Sequence, residues 1–238
     1  MTDKILVIVA TYNESENIKP LIAQIFKVVP EVNILVIDDN SPDKTYKIVE
    51  DLANTEYKDK LFLMKRAGKL GLGTAYVAGF HYALDNGYDI IIQMDADFSH
   101  NPVYLPKLLD AIEDNDLVIG SRYVKGGGVV NWGLMRKIIS RGGSLYSRTI
   151  LGLPQHDLTG GFKCWRRKVL ESIGIDDLKS TGYSFQVETT YKAFLNKFRI
   201  KEIPIIFEDR QFGQSKMSGG IFVEASLMIL RLKFCSKK

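Results

Sequence analysis

Short apolar runs and helix-like stretches take turns along the first half of this 238-residue chain, and that alternation leaves few architectures open. Ile5–Ala10, Asn33–Ile37, Leu61–Lys65, Asp89–Met94 and Leu117–Gly120 are short, apolar and bounded by turn residues, as buried strands are. Between them, Glu14–Val28, Thr45–Ala53, Gly71–Asn86 and Pro102–Asp114 carry helical spacing. Ser99–Asn101 supply capping residues for the last of these, with Pro102 near its first turn. Strands alternating with helices predict an α/β fold with a doubly wound, mostly parallel sheet. After Tyr123 the pattern changes. Gly126-Gly127-Gly128 reads as a mobile loop, Trp132–Leu151 as a basic amphipathic helix, Phe185–Phe198 as a helix and Ile203–Phe207 as a strand.

Acidic residues gather where three of the strands end. Ile90-Ile91-Ile92-Gln93-Met94 runs into Asp95-Ala96-Asp97, and a strand's period of two points both carboxylates the same way. In open α/β sheets that end faces the ligand crevice. Two close carboxylates repel, and a hard cation such as Mg²⁺ or Mn²⁺ relieves this while leaving positions for phosphate oxygens. Thr11-Tyr12-Asn13-Glu14 and Asp38-Asp39 face the same crevice, where carboxylates suit a nucleobase, ribose hydroxyls or a metal, and Tyr12 offers a ring. Each segment alone also reads as a helix cap or turn, but three together argue against coincidence. Gly68-Lys69-Leu70-Gly71-Leu72-Gly73 lacks both nucleotide-loop fingerprints and reads as a tight turn opening a helix. Arg122, Arg136, Arg141, Arg210 and Lys216 lie in basic, mostly loop-like segments and are the candidate phosphate partners, with Arg210 and Lys216 foremost.

Composition bounds the rest. A net charge of +4 is too weak to imply nucleic acid, and the late clustering of Lys and Arg suits phosphates, anionic lipid headgroups or a solvated face. Cys164 and Cys235 form no disulfide framework, and His81, His100 and His156 form no zinc motif; a reducing compartment fits. Ile5–Ala10 is too short for a signal peptide. No stretch reaches the roughly 18 apolar residues of a spanning helix. Ile221–Phe234, interrupted by Glu224, Arg231 and Lys233, reads as a docking or interfacial helix.

Taken together and in order, Thr11-Tyr12-Asn13-Glu14, Ile37-Asp38-Asp39, Asp95-Ala96-Asp97-Phe98-Ser99-His100, Gly120-Ser121-Arg122-Tyr123, Asp157–Phe162 and Ser215-Lys216 resemble the dolichyl-phosphate (polyprenyl-phosphate) mannose synthases of glycosyltransferase family 2. The resemblance covers nearly the whole chain. It implies a GT-A fold, with C-terminal amphipathic helices, that moves mannose with inversion from GDP-mannose to a membrane-embedded polyprenyl or dolichyl phosphate, using Mg²⁺ or Mn²⁺. The product would be the lipid-linked mannose donor for protein glycosylation or related glycan synthesis. The resemblance implies nucleotide contacts from Ala10, Tyr12, Glu14, Ile37 and Asp39. Asp95, Ala96 and Asp97 would line the diphosphate, with Asp97 the main metal ligand beside Asp95 and Ser99. Arg122, Lys179, Arg210 and Lys216 would hold phosphates, Arg210 and Lys216 in a loop able to close over the donor, and Asp157 would position groups.

Three departures stand out. Ala10 replaces a frequent Pro, Ser99 replaces a Gln that helps hold the metal in some members, and the C-terminal spanning helices of some members are lacking. The expectation is therefore a peripheral protein on the cytoplasmic face of a plasma membrane or endoplasmic reticulum, with small membrane-anchoring subunits as candidate partners. Residues 1–123 would form the nucleotide-sugar-binding half and 124–238 the acceptor-binding half of one continuous domain. Three rivals stay open: a polyprenyl-phosphate glucosyltransferase using UDP-glucose, a haloacid-dehalogenase-type phosphatase, and a non-catalytic nucleotide-sugar-binding subunit. The phosphatase scheme wants its acidic pair after the first strand, whereas here it follows about the fourth.

Overall fold

The computed structural model of the protein describes residues 3–178, 180, 183–208 and 227–234. A seven-stranded sheet runs β3-β2-β1-β4-β7-β5-β8, built from β1 (Ile5–Thr11), β2 (Asn33–Asp38), β3 (Leu61–Lys65), β4 (Ile90–Asp95), β5 (Leu117–Ser121), β7 (Lys163–Arg166) and β8 (Ile200–Pro204). All neighbours are parallel except β7, which lies antiparallel between β4 and β5. The predicted doubly wound, mostly parallel sheet is therefore found. β7 was not read from the sequence, because Lys-Cys-Trp-Arg carries neither an apolar run nor a polar alternation.

Period-two alternation sorts the strand side chains onto two faces. Val7, Val9, Ile34, Val36, Ile92 and Met94 face α1 (Ile18–Val28), α2 (Thr45–Asn54) and α4 (Leu105–Ile112). Leu6, Ile8, Leu35, Ile37, Ile91 and Trp165 face α3 (Leu72–Asp85), α6 (Arg167–Ser172) and α7 (Tyr183–Leu195). Both faces are covered, which is why these strands read as continuous apolar runs.

Several boundaries differ from expectation. The helix foreseen from Glu14 begins at Ile18, because Glu14–Asn17 form a turn in which the Glu14 carbonyl accepts the N–H groups of Asn17 and Ile18. The strand foreseen at Ile203–Phe207 is split: Pro204 ends β8, and β9 (Ile206–Glu208) pairs in parallel with β6 (Gly128–Val130). The expected mobile glycine loop is thus a tight reversal feeding a strand. A Cβ on Gly127 would lie 2.5 Å from the Ser121 carbonyl oxygen, so the approach admits only glycine.

The basic helix is α5 (Leu134–Leu151), starting two residues later than expected. Trp132 precedes it and is buried, its ring edge-on to Phe207 at 5.3 Å. Leu134 (75% exposed), Met135 (69%), Ile138 and Leu145 face outward from α5. Residues 227–234 are helical, and Ile229 and Leu232 pack with Leu151, Leu153, Leu158 and Tyr191, which turns that face toward the protein itself. Among the described residues no helix is long and apolar enough to cross a membrane.

Candidate active site

The crevice is built at the carboxyl ends of β2, β1 and β4. Ala10 pairs in register with Ile37 on one side and Asp95 on the other, so three of the foreseen donor contacts form one row. The Ile37 side chain is buried in the core against α3, leaving its backbone to face the row. Ala96 is likewise buried.

Beyond the row, two loops are laced together. Asp38 accepts the Thr11 hydroxyl at 2.8 Å, the Ser41 N–H at 2.8 Å and the Ser41 hydroxyl at 2.6 Å. The Glu14 N–H donates to Thr45 Oγ1 at 3.0 Å. These bonds make Asp38 a brace and leave the neighbouring Asp39 to turn the other way. Asp39 pairs with Arg66 at 3.1 Å and accepts the Leu70 N–H at 3.1 Å. Arg66 also donates to Thr74 Oγ1 at 2.7 Å, tying Asp39 to the start of α3. Lys69 lies 4.6 Å from the Tyr12 ring centroid, so the loop read as a turn opening a helix does so and covers Tyr12. The Glu14 carboxylate accepts the Asn17 side-chain amide at 2.8 Å.

At the acidic pair, Asp97 is buried and its Oδ1 accepts both the N–H and the hydroxyl of Ser99. Ser99 thus directs its proton at Asp97, orienting the carboxylate proposed to bind metal. Between them Phe98 sits at φ +62°, a left-handed conformation that a bulky side chain rarely adopts and that packing must enforce. Asp95 is 36% exposed at its side chain. Its N–H donates to His100 Nδ1 at 2.9 Å, which places the proton of a neutral His100 ring on Nε2. Burial holds the His100 pKa below its ordinary value, against the raising effect of Asp95 and Asp97. The ring stacks on Phe162 at 5.0 Å and meets Phe207 edge-on at 5.4 Å.

Arg122 and Asp157 are both buried and form a two-pronged pair. Nε donates to one Asp157 oxygen at 2.7 Å and Nη2 to the other at 2.7 Å, while Nη2 also reaches Thr159 Oγ1 at 2.8 Å. Burial alone would raise the Asp157 pKa, but the Arg122 charge and hydrogen bonds outweigh it and hold the carboxyl below the usual range. Lys179, Arg210 and Lys216 lie outside the described residues. Among the described residues no three His, Cys, Asp or Glu side chains form a metal cluster.

Sequence reading missed Arg66, His100 and Lys163. Arg66 and Lys163 act through partners distant in sequence, and His100 joins its neighbour Asp95 to the distant Phe162, so only the fold completes these contacts. Lys163, fully buried on β7, donates to the Gln186 carbonyl at 2.7 Å and Thr190 Oγ1 at 2.9 Å, fastening α7 to the sheet. Burial pushes its pKa down to about 7, with Asp157 opposing the shift. An unfolded lysine keeps its proton to about pH 10.4, so between those values the unfolded state binds more protons and folding strengthens as pH rises. Denaturant unfolding at pH 7, 8.5 and 10 should show wild type gaining stability relative to Lys163→Met across that window. A constant difference would refute the shifted lysine.

The family described as Glycosyl transferase family 2 matches residues 6–174. The chain is 44% identical to the polyprenol monophosphomannose synthase of Mycolicibacterium smegmatis, over 96% of this chain and 86% of that protein. It is 45% identical to the undecaprenyl-phosphate mannosyltransferase of Micrococcus luteus, over 96% and 93%. Among solved structures, glucosyl-3-phosphoglycerate synthase from Mycobacterium tuberculosis, solved with Mn²⁺ and UDP, superposes with a TM-score of 0.67 at 19% identity, covering 98% of this chain and 79% of that one. A mannosyltransferase from Pyrobaculum calidifontis, solved with GDP-Man and Mn²⁺, gives 0.63 at 18% identity, covering 99% and 64%.

Proposed function

The chain belongs to glycosyl transferase family 2, and from that premise we propose that it moves mannose from GDP-mannose, with inversion, to a polyprenyl phosphate. The fold is GT-A-like, and the enzyme is a glycosyltransferase. The observation that carries the proposal is the crevice itself: Asp95 and Asp97 emerge beside Ala10, Tyr12 and Asp39 at one end of the sheet. Tyr12, Glu14, Asp39 and the backbone at Ala10 and Ile37 hold the nucleoside in this reading.

Asp97, oriented by Ser99, and the half-exposed Asp95 offer hard carboxylate oxygens that fit Mg²⁺ or Mn²⁺. Such an ion would supply charge stabilisation to the leaving diphosphate. The acceptor phosphate is mostly dianionic near neutral pH, its second pKa being about 6, and attacks without first losing a proton. Asp157, tied to Arg122 with a lowered pKa, is unsuited to act as a base, which agrees with such a reaction. Its role is to fix Arg122, and with it the Gly160–Phe162 segment beside the crevice. Lys179, Arg210 and Lys216 remain proposed phosphate partners, with residues 1–123 as the donor half and 124–238 as the acceptor half.

The deciding experiment incubates the protein and Mn²⁺ or Mg²⁺ with a panel of nucleotide sugars and a short polyprenyl phosphate, then identifies the product by mass spectrometry. Mannosyl-phosphopolyprenol from GDP-mannose is the expected result. A glucosyl product from UDP-glucose would overturn the donor assignment, and no product from any donor would return the chain to a binding subunit.

A lipid acceptor requires approach to a membrane, and α5 supports a peripheral location on its cytoplasmic face. Leu134, Ile138 and Leu145 share one helical stripe with Arg141, and Lys137 lies nearby, an arrangement that suits an anionic interface. Flotation with anionic vesicles should recover wild type at low salt and lose most of it after Leu134→Ser, Ile138→Ser and Leu145→Ser together. Equal recovery of both would move the anchor to the candidate small membrane subunits or to segments beyond α5.

A further inference from the structure

Beneath the acidic pair lies a chain of buried amides whose orientation is fixed by its first member. Trp165 Nε1–H can only donate, and it donates to Gln93 Oε1 at 3.1 Å. Gln93 must therefore present its amide nitrogen onward, and Nε2 donates to Gln186 Oε1 at 2.9 Å. Both residues are buried, Gln186 being 2% exposed. The Gln186 Nε2 group is thereby turned away from the network, and it has no hydrogen-bond partner among the described residues. Leaving a buried amide donor unpaired destabilises the fold, so its retention calls for an acceptor that arrives from outside.

The space beside it is defined by Gly161. A Cβ there would lie 3.4 Å from Gln186 Nε2, 3.4 Å from His100 Cε1 and 3.6 Å from Asp95 Oδ1. The unpaired donor and the partly exposed carboxylate of the acidic pair thus border one point, which glycine leaves without a side-chain atom. The backbone of Gly161 does not require glycine there, since its φ lies outside the left-handed range. Glycine serves the space.

We propose that Gln186 Nε2 donates a hydrogen bond to a hydroxyl of the donor's sugar ring, at the point beside Gly161 and Asp95, and so helps set which sugar is accepted. This rests on the reading of the chain as a nucleotide-sugar transferase and deepens it. A site built to hydrogen-bond a hydroxyl rejects an analogue that misplaces it, because the protein's own buried group is then left unpaired. The amide relay from Trp165 keeps Nε2 from rotating to find another partner. The sugar, and not the nucleotide, is its target, because the proposed nucleoside contacts, Ala10, Tyr12 and Asp39, lie across the row formed by β1 and its neighbours.

The test compares wild type, Gln186→Met and Gly161→Ala, each with Mn²⁺, measuring thermal midpoints, GDP and GDP-mannose affinity by calorimetry, and turnover of GDP-mannose against GDP-glucose. Gln186→Met keeps the side-chain length and removes the donor. It should lower kcat/KM for GDP-mannose about tenfold or more and narrow its preference over GDP-glucose, with GDP affinity unchanged. Gly161→Ala leaves the amide relay intact and places a methyl group against Gln186 Nε2 and Asp95, so it should weaken GDP-mannose and spare GDP. Equal losses for GDP and GDP-mannose, or unchanged sugar turnover and preference in both variants, would overturn the proposal. If Gln186→Met does not fold, Gly161→Ala alone decides. Should wild type use UDP-glucose instead, UDP and UDP-glucose replace the guanosine pair and the same contrast applies. Only a wild type that accepts no nucleotide sugar would bring down the transferase reading itself.

Discussion

Asp97→Asn should reduce transfer by a factor of about a hundred to a thousand, the range seen when one preorganised group facing developing charge is removed. The variant keeps an oxygen for the Ser99 N–H and hydroxyl, so the turn at Phe98 has no reason to open and the thermal midpoint should stay near wild type. What changes is one negative charge at the proposed metal site. Chelation should abolish activity in the same way, and Mn²⁺ should restore it. Full turnover in excess chelator would remove the metal from the reaction. A variant that is inactive and unfolded would instead reassign Asp97 to structure.

Arg122→Met should be the most destabilising single change at the site. Asp157 is fully buried, and without its guanidinium the carboxylate keeps only backbone donors such as Arg122 N–H at 2.9 Å and Gly160 N–H at 3.1 Å. Breaking a buried ion pair on one side costs about 3–5 kcal/mol. For a chain of this size that lowers the melting temperature by roughly 6–20 °C. The sign of the pH dependence is a second check. In wild type the depressed Asp157 pKa contributes stability above the ordinary value near 4, and that contribution is lost as pH falls through the lower folded value. In the variant burial dominates and the carboxyl is raised, so acid relieves the strain. The two proteins should converge in stability below about pH 4, by denaturant titration. Adding Asp157→Asn should rescue much of the loss. A variant as stable as wild type at neutral pH would make the pair incidental.

Much of the crevice was legible in the sequence because each of its parts is local. An apolar run ending in Asp95-Ala96-Asp97 fixes strand, direction and face at once, and the turn chemistry of Asn40 and Ser41 marks the end of β2. Pairings across long separations were not legible. Nothing near Arg66 announces Asp39, and nothing near Arg122 announces Asp157, 35 residues on. His100 looked like a stray histidine until Asp95 N–H and Phe162 closed around it. Trp132 misled by its neighbours: read as the start of the basic amphipathic helix, it instead precedes the helix and is packed on Phe207 with Arg136 4.1 Å from its ring.

The antiparallel strand β7 has a consequence for how the chain is made. A ribosome that has released residues 1–123 has delivered β1 through β5, but β4 and β5 have no contact in the sheet until Lys163–Arg166 emerges to lie between them. The other neighbour of β5, Ile200–Pro204, arrives later still. At about 5–20 residues per second, the nascent chain holds Ile90–Met94 as an open, uncharged edge for several seconds. Such an edge is a template for pairing with other chains. Release of a 1–123 fragment should therefore yield aggregates, which the longer chain avoids once β7 covers the waiting edge.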